Sequence, residues 1–288
     1  MSILEKKHQL PDPKKIRALA IDLDGTALAP GPALSPRTER AVKLCKKRGI
    51  RIILATGRAI DGAEPFRATF GAEGPMVYYN GAIVVDMPEK KILKSALLGK
   101  NEAEYCVDLA RDMEVFCQMY LPEDGDESRI RLMCERDYPE REMYYRHTGI
   151  EAKLVDLKEV LSKPDFVGCV KTMFLAEPEV LARVRPKLEE HLDDSVYIAQ
   201  SHRTFLEVLD AEASKGLGLK FVMEHCGIKK EEIIAFGDEE NDIPMFKDAG
   251  FSVAPSNAND NVKAVADLVV ASNSEDGMAA FLEDFFEL

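Results

Sequence analysis

Two aspartates stand two positions apart in Ala20-Ile21-Asp22-Leu23-Asp24-Gly25-Thr26, directly after a short apolar run. Side chains two apart on a strand share a face, so Asp22 and Asp24 project together from the strand's carboxyl end. Open α/β sheets bind their ligands at that end. Solvated acids ahead of a glycine turn give the same pattern, so the pair gains weight only from three further sites. Ile53-Leu54-Ala55-Thr56-Gly57-Arg58 closes a second apolar run with a hydroxyl and a glycine turn, which sets Thr56 and the Gly57 amide where an anion can be held. The plain alternative is a threonine that caps helix 58–70. Arg58, just past the turn, fits an outward salt bridge as well as an inward clamp and is set aside. Ser214-Lys215-Gly216 opens a helix, a poor place for a cation beside a positive helix end unless an anion lies nearby; one exposed lysine in a first turn is also common. Gly237-Asp238-Glu239-Glu240-Asn241-Asp242 again follows a buried run, as an acidic turn or as something more. Together the four sites offer a carboxylate pair, a hydroxyl, a lysine and a second carboxylate pair. Those are the groups for a divalent cation beside an anion.

The elements that must position these residues follow from the apolar runs at 18–21, 52–54, 76–79, 233–236, 251–254 and 268–270, which read as buried parallel strands. Between the first two, Ser35-Pro36 opens an amphipathic stretch with Ala41, Leu44 and Cys45 at helical spacing, and Gly49 stops it. That is one β-α-β unit. Asn80-Gly81, between apolar runs, signals a hairpin. From about 88 to 208 the rhythm changes: a helix after Asn101, strands near 115–120 and 170–175, a helix over 178–191, then strands near 196–199 and 205–209. Regular β-α alternation resumes at Ser214. The expected architecture is α/β, a Rossmann-like parallel sheet formed by 1–87 and 209–288 with an α+β domain, 88–208, inserted in it.

Composition narrows the function. The 288 residues are 46% hydrophobic and 31% charged, with a formal charge of −13, which fits a globular protein and disfavours a nucleic-acid partner. Residues 231–288 hold fourteen Asp and Glu against Lys247 and Lys263, a net of twelve negative charges. No stretch approaches the roughly 20 apolar residues of a membrane span. The start, Met1-Ser2-Ile3-Leu4-Glu5-Lys6-Lys7-His8, lacks the apolar core of a secretory signal. The expectation is a cytoplasmic protein with reduced, structural cysteines, since Cys45, Cys106, Cys117, Cys134, Cys169 and Cys226 form no C-x-x-C pair. No two of the five histidines stand at zinc-ligand spacing. Arg129, Arg131, Arg136, Arg141 and Arg146 lie among acids and read first as a solvated face, second as readers of another anionic group.

In this order, D-L-D-G-T, A-T-G-R, S-K-G and G-D-E-E-N-D closely resemble the four motifs of the haloacid dehalogenase-like superfamily. The long insert and Asn80-Gly81 look like its Cof-type sugar-phosphatase branch, with a class IIB cap, and the resemblance runs through to Ser272-Asn273-Ser274-Glu275-Asp276-Gly277. It implies a Mg²⁺-dependent phosphatase of small phosphorylated metabolites, with sugar phosphates foremost. Asp22 would be the nucleophile and Asp24 the general acid and base. Asp22, the main-chain carbonyl of Asp24 and Asp238 would hold the metal, with Asp242 behind them. Thr56, Gly57, Lys215 and Asn241 would surround the phosphoryl oxygens, and Thr26 would orient the first loop. One departure stands out: Ala254-Pro255-Ser256-Asn257-Ala258 occupies the place of a Met-Gly-Asn-Ala loop, so that loop's contacts with substrate or Asp238 are in question. Two rivals remain. A sugar phosphomutase would return the phosphoryl group to sugar, and a phospho-accepting signalling module would hold it.

Overall fold

The computed structural model describes residues 10–123 and 125–288, His147 by its backbone alone. The expectation drawn from residues 1–8 lies outside them. In chain order the first part comprises β1 (Ala18–Ile21), α1 (Pro36–Lys47), β2 (Arg51–Leu54), α2 (Ile60–Phe70), β3 (Gly74–Tyr78), β4 (Ile83–Met87) and β5 (Lys91–Ser95). The middle comprises α3 (Lys100–Asp112), β6 (Phe116–Glu123), β7 (Asp126–Cys134), α4 (Pro139–Thr148), β8 (Lys153–Leu154), α5 (Leu157–Leu161), β9 (Lys171–Leu175), α6 (Pro178–Leu192), β10 (Val196–His202) and β11 (Phe205–Asp210). The chain returns with α7 (Lys215–Cys226), β12 (Ile233–Phe236), α8 (Ile243–Asp248), β13 (Phe251–Pro255), α9 (Asp260–Val265), β14 (Leu268–Val270) and α10 (Gly277–Phe286).

A parallel sheet in the order β14-β13-β12-β1-β2 forms the core. Every residue of β1 and β12 is buried, as strands covered on both faces must be, which is why their sequence is a continuous apolar run rather than an alternation. Helix α1 starts where expected: Ser35 Oγ accepts from the Thr38 amide at 3.0 Å and Pro36 occupies the first turn. Across the sheet Phe281 of α10 stands edge-on to Phe236 and stacks on Phe251 at centroid separations of 5.8 and 6.5 Å. Burial of each such ring contributes roughly 1.5–3 kcal/mol.

A six-stranded sheet in the order β10-β11-β9-β6-β7-β8, antiparallel except for β7 against β8, carries the cap domain. The run at 76–79 meets the end of the parallel sheet through one parallel bridge and otherwise pairs elsewhere. It is β3, paired antiparallel with β4 in a separate three-stranded sheet with β5, and a bridge from Ala55 to Val77 connects it to the end of β2. β3 and β4 form the expected hairpin, joined by residues 79–82 rather than by a two-residue turn. Tyr79, Asn80 and Gly81 take φ of 49°, 56° and 95° in succession, and the Asn80 amide donates to the Thr56 carbonyl at 3.0 Å. No described helix is long and apolar enough to cross a membrane.

Candidate active site

Parallel register brings the motifs together. Ile21 is level with Phe236 on one side and Leu54 on the other, so the residues that follow each strand leave the sheet at one edge. The Asp22 amide donates to the Phe236 carbonyl at 3.0 Å, and the Ala55 amide to the Ile21 carbonyl at 3.0 Å. Lys215, in the first turn of a helix whose amino end Ser214 caps, reaches this edge from the side. Its Nζ donates to Asp22 Oδ1 at 2.6 Å and to Asp242 Oδ1 at 2.7 Å, all three side chains being buried. Asp242 Oδ2 accepts from the amides of Asp238 and Glu239 at 2.9 and 3.1 Å, which fixes the turn after β12. Thr26 Oγ1 donates to Asp238 Oδ1 at 2.8 Å, so the hydroxyl that was expected to orient the first loop does so by tying it to the last motif. Between them Gly25, at φ 77°, leaves room where a Cβ would stand 2.0 Å from Asp238 Oδ2.

Oxygens of Asp22, Asp238 and Asp242 lie within 4.8 Å of one another. Three buried carboxylates against one lysine leave a surplus of negative charge, and the protonation equilibria register it. Burial pushes the Asp22 carboxyl up to about 7; Lys215 pulls against that, while Asp242 and Asp24 add to it. Asp238 is raised well above its usual range, first by burial and then by Asp22 and Asp242. Burial works against the charge on Lys215, but Asp22 and Asp242 outweigh it and hold the ammonium more firmly than usual. A crowded, all-oxygen and proton-retaining set of this kind fits a hard divalent cation.

The other expected residues arrive by different routes. Gly57 lines the cavity. Thr56 is buried behind it, with Oγ1 accepting from the Arg58 amide at 3.1 Å in the turn before α2; the helix begins at Ile60, with Ala59 at its N-cap, so Thr56 does not cap it. Asn241 also lines the cavity; its Nδ2 donates to Asn80 Oδ1 at 2.9 Å, and its Oδ1 is buried with no hydrogen-bond partner among the described residues. Asp24 enters the cavity with its side chain 44% exposed, and Arg58 meets it as a fork, Nε to Oδ2 and Nη2 to Oδ1, both at 2.6 Å. Arg58 therefore makes its salt bridge inward, to Asp24 at the cavity, rather than outward. The loop that departs from the family pattern still serves the site: Asn257 Nδ2 donates to the Gly25 carbonyl at 2.8 Å and the Asn259 amide to the Asp238 carbonyl at 2.9 Å.

These groups form one wall of a cavity of about 400 Å³, closed from the other side by the cap residues Tyr144, Lys171, Met173, Phe205 and Glu207. A profile of haloacid dehalogenase-like hydrolases matches residues 19–282, nearly the whole chain. The chain belongs to that family. Among its relatives, the 5-amino-6-(5-phospho-D-ribitylamino)uracil phosphatase YitU of Bacillus subtilis is 27% identical, over 94% of this chain and 97% of its own. The pyridoxal phosphate phosphatase YbhA of Escherichia coli is 26% identical over 92% and 97%. The crystal structure of TM0651 from Thermotoga maritima superposes with a TM-score of 0.76 at 31% identity, covering 93% of this chain and 97% of that one.

Three residues of this haloacid dehalogenase-like site escaped the sequence reading. Asn80 was read as a turn former, yet it is fully buried and its Nδ2 donates to Glu207 Oε2 at 2.8 Å. Lys171 and Glu207 pair at 2.6 Å with both side chains 2% exposed. Their signal was available: each is a charge inside an apolar strand run, Val170 to Leu175 and Phe205 to Leu209. The five cap arginines behave as the favoured reading had it. Arg129 and Arg131 pair with Glu123, Arg141 with Asp137 and Glu151, and Arg146 with Glu142, while Arg136 Nη1 donates to Tyr138 Oη; none lines the cavity.

Proposed function

We propose that this phosphatase is Mg²⁺-dependent, works through an aspartyl phosphate on Asp22 and acts on small phosphorylated metabolites, sugar phosphates foremost. The observation that carries the reading is the meeting of Asp22, Lys215 and Asp238 beside one cavity. An Asp22 oxygen attacks phosphorus and the ester P–O bond breaks, Asp24 giving its proton to the departing alkoxide. Asp24 then takes a proton from water, whose oxygen attacks the acyl phosphate, releasing inorganic phosphate and restoring the Asp22 carboxylate. Asp22, the Asp24 main-chain carbonyl and Asp238 would hold Mg²⁺, whose charge offsets repulsion between nucleophile and phosphoryl dianion.

The remaining residues position and neutralise. Lys215 favours the ionised form of Asp22 against the effect of burial, with one oxygen engaged at 2.6 Å, and Asp242 keeps that ammonium in place. Gly57 and Asn241, with Thr56 behind them, face the phosphoryl oxygens; to donate to them, Asn241 Nδ2 would leave Asn80 Oδ1, which it now engages at 2.9 Å. Arg58 forks onto both carboxyl oxygens of Asp24, so the carboxyl that serves as acid must come off that fork. The cap, taken as 88–208 inserted between 1–87 and 209–288, excludes water when seated. A cytoplasmic address, with neither nucleic acid nor membrane as partner, belongs to the same reading, supported by the acidic charge and the apolar-run lengths.

Phosphate release by the purified protein, over sugar, nucleotide and cofactor monophosphates and with Mg²⁺ or chelator, tests the reading. Release that requires Mg²⁺ and vanishes in Asp22→Asn is expected. Full activity of that variant, or transfer of the phosphoryl group to a second sugar hydroxyl instead of water, overturns it.

A further inference from the structure

The cap wall of the cavity has a charge balance that bears on the leaving group. On β9, Lys171 and Met173 share a face, as do Phe205 and Glu207 on β11, and the antiparallel register that sets Met173 opposite Glu207 makes these one patch turned toward Asp22. Lys171 is the cation this patch brings to the cavity. It is committed: Nζ donates to Glu207 Oε2 at 2.6 Å and to the Gly57 carbonyl at 3.2 Å, and lies 4.8 Å from the centre of the Tyr120 ring. His202, also in the lining, has Nδ1 2.8 Å from Thr204 Oγ1 and 3.3 Å from the Thr204 amide. Arg129, Arg131, Arg141 and Arg146 pair with acids outside the lining, Arg136 with Tyr138, and Arg58 across the cavity is forked onto Asp24. No uncompensated lysine or arginine among the described cap residues therefore lines the cavity.

We infer, resting on the phosphatase reading, that Lys171 and Glu207 form the floor of a neutral leaving-group subsite, and that the substrate is a monophosphate whose leaving group carries hydroxyls but no second anion. A second phosphate or a carboxylate at this floor would confront Glu207, or would have to strip Lys171 from it and leave a buried carboxylate unpaired. Hydroxyls fit instead. Glu207 receives Lys171 and Asn80 on Oε2 and the Ser201 hydroxyl on Oε1, so a carboxylate with about four lone-pair sites keeps one for an alcohol donor. The Ser201 oxygen can accept another. Tyr144 and Phe205, edge to face at 5.6 Å, supply an apolar surface for the carbon skeleton.

The test is kcat/KM for the wild-type enzyme with Mg²⁺ over two sets of esters. Glucose, ribose and glycerol monophosphates have neutral leaving groups; phosphogluconate, phosphoglycerate and fructose bisphosphate carry a second anion. The best neutral ester is expected to exceed the best anionic one by about tenfold or more. In Glu207→Gln, which frees Lys171 to meet an anion, the ratio should narrow to about threefold or less. Equal or better turnover of the anionic set by wild type overturns the inference, as does an unchanged ratio in a folded Glu207→Gln. Where that variant does not fold, the wild-type ratio alone decides. Hydrolysis of para-nitrophenyl phosphate with none of the six esters turned over also counts against it, because the chemistry then works and the subsite does not. Failure of every substrate, para-nitrophenyl phosphate included, falls on the phosphatase reading and takes this inference with it.

Discussion

Asp22, Asp238 and Asp242 crowd together beside one buried lysine, which pairs with Asp22 and Asp242, and that imbalance decides how single substitutions act. Asp22→Asn removes one carboxylate from a crowded set and leaves Lys215 paired with Asp242. Unfolding by heat or urea should be unchanged or slightly later, while phosphate release falls by about a thousandfold or more. Lys215→Met does the opposite to stability: two buried acids lose their cation, at a cost of about 3–5 kcal/mol, read as an earlier urea midpoint. Equal melts for the two variants would contradict this account of the lysine. The same imbalance sets a pH dependence. Asp22 is pushed up from 3.8 to about 7 by burial and Asp238 is raised as well, so the folded metal-free protein keeps protons that the unfolded chain has released. That contribution is complete below pH 3.8 and is lost as pH rises through about 7. In chelator the melting temperature should fall from about pH 5 to about pH 8, and Mg²⁺, which takes the place of those protons, should raise it most at the alkaline end. A Mg²⁺ increment that is the same at both pH values would refute the shared site.

At the scale of elements, the four motifs were legible because each sits at a strand or helix end that local sequence marks: an apolar run stopped by Asp22, Thr56 or Asp238, and a serine cap before Lys215. What joins distant segments was not. An apolar run such as 76–79 reads alike whether its partner is parallel or antiparallel, and β3 has both: a parallel bridge to the end of β2 and an antiparallel ladder with β4. Strand β7, Asp-Glu-Ser-Arg-Ile-Arg-Leu-Met-Cys, shows no steady alternation because much of it lies exposed at the cap surface. Asn80-Gly81 carried a true turn signal whose reason is tertiary. A Cβ on Gly81 would stand 2.0 Å from the Ser214 carbonyl, backbone against backbone, and φ there is 95°. Gly81→Ala must therefore push the amino end of α7, and Lys215 with it, away from Asp22. We expect a melting temperature lower by several degrees together with a loss of phosphate release. An equivalent Gly62→Ala, where a Cβ meets nothing within 4 Å, should alter neither.

Across the whole molecule, three polar contacts among the described residues join the cap to the core at or beside the cavity. Lys171 reaches the Gly57 carbonyl, Glu207 receives Asn80, and Arg185 of α6 forks onto Glu240 with Nη1–Oε2 at 2.9 Å and Nη2–Oε1 at 2.8 Å. Glu240 directly precedes Asn241, so the last pair ties the cap's outer helix to a residue of the site. The two side chains are 29% and 37% exposed, and water and salt hold such a pair to about 1 kcal/mol or less. That is too little to fold the cap but enough to bias its seating, on which water exclusion depends. Arg185→Glu and Glu240→Arg should each raise KM for sugar monophosphates by about two- to fivefold, with kcat less affected, and the doubly reversed variant should recover most of the loss. Added salt should carry wild-type KM toward the single-variant values over the same range. Single reversals that leave KM unchanged at low salt would mean that the cap is seated by its buried contacts alone, with Lys171, Glu207 and Asn80 holding it closed.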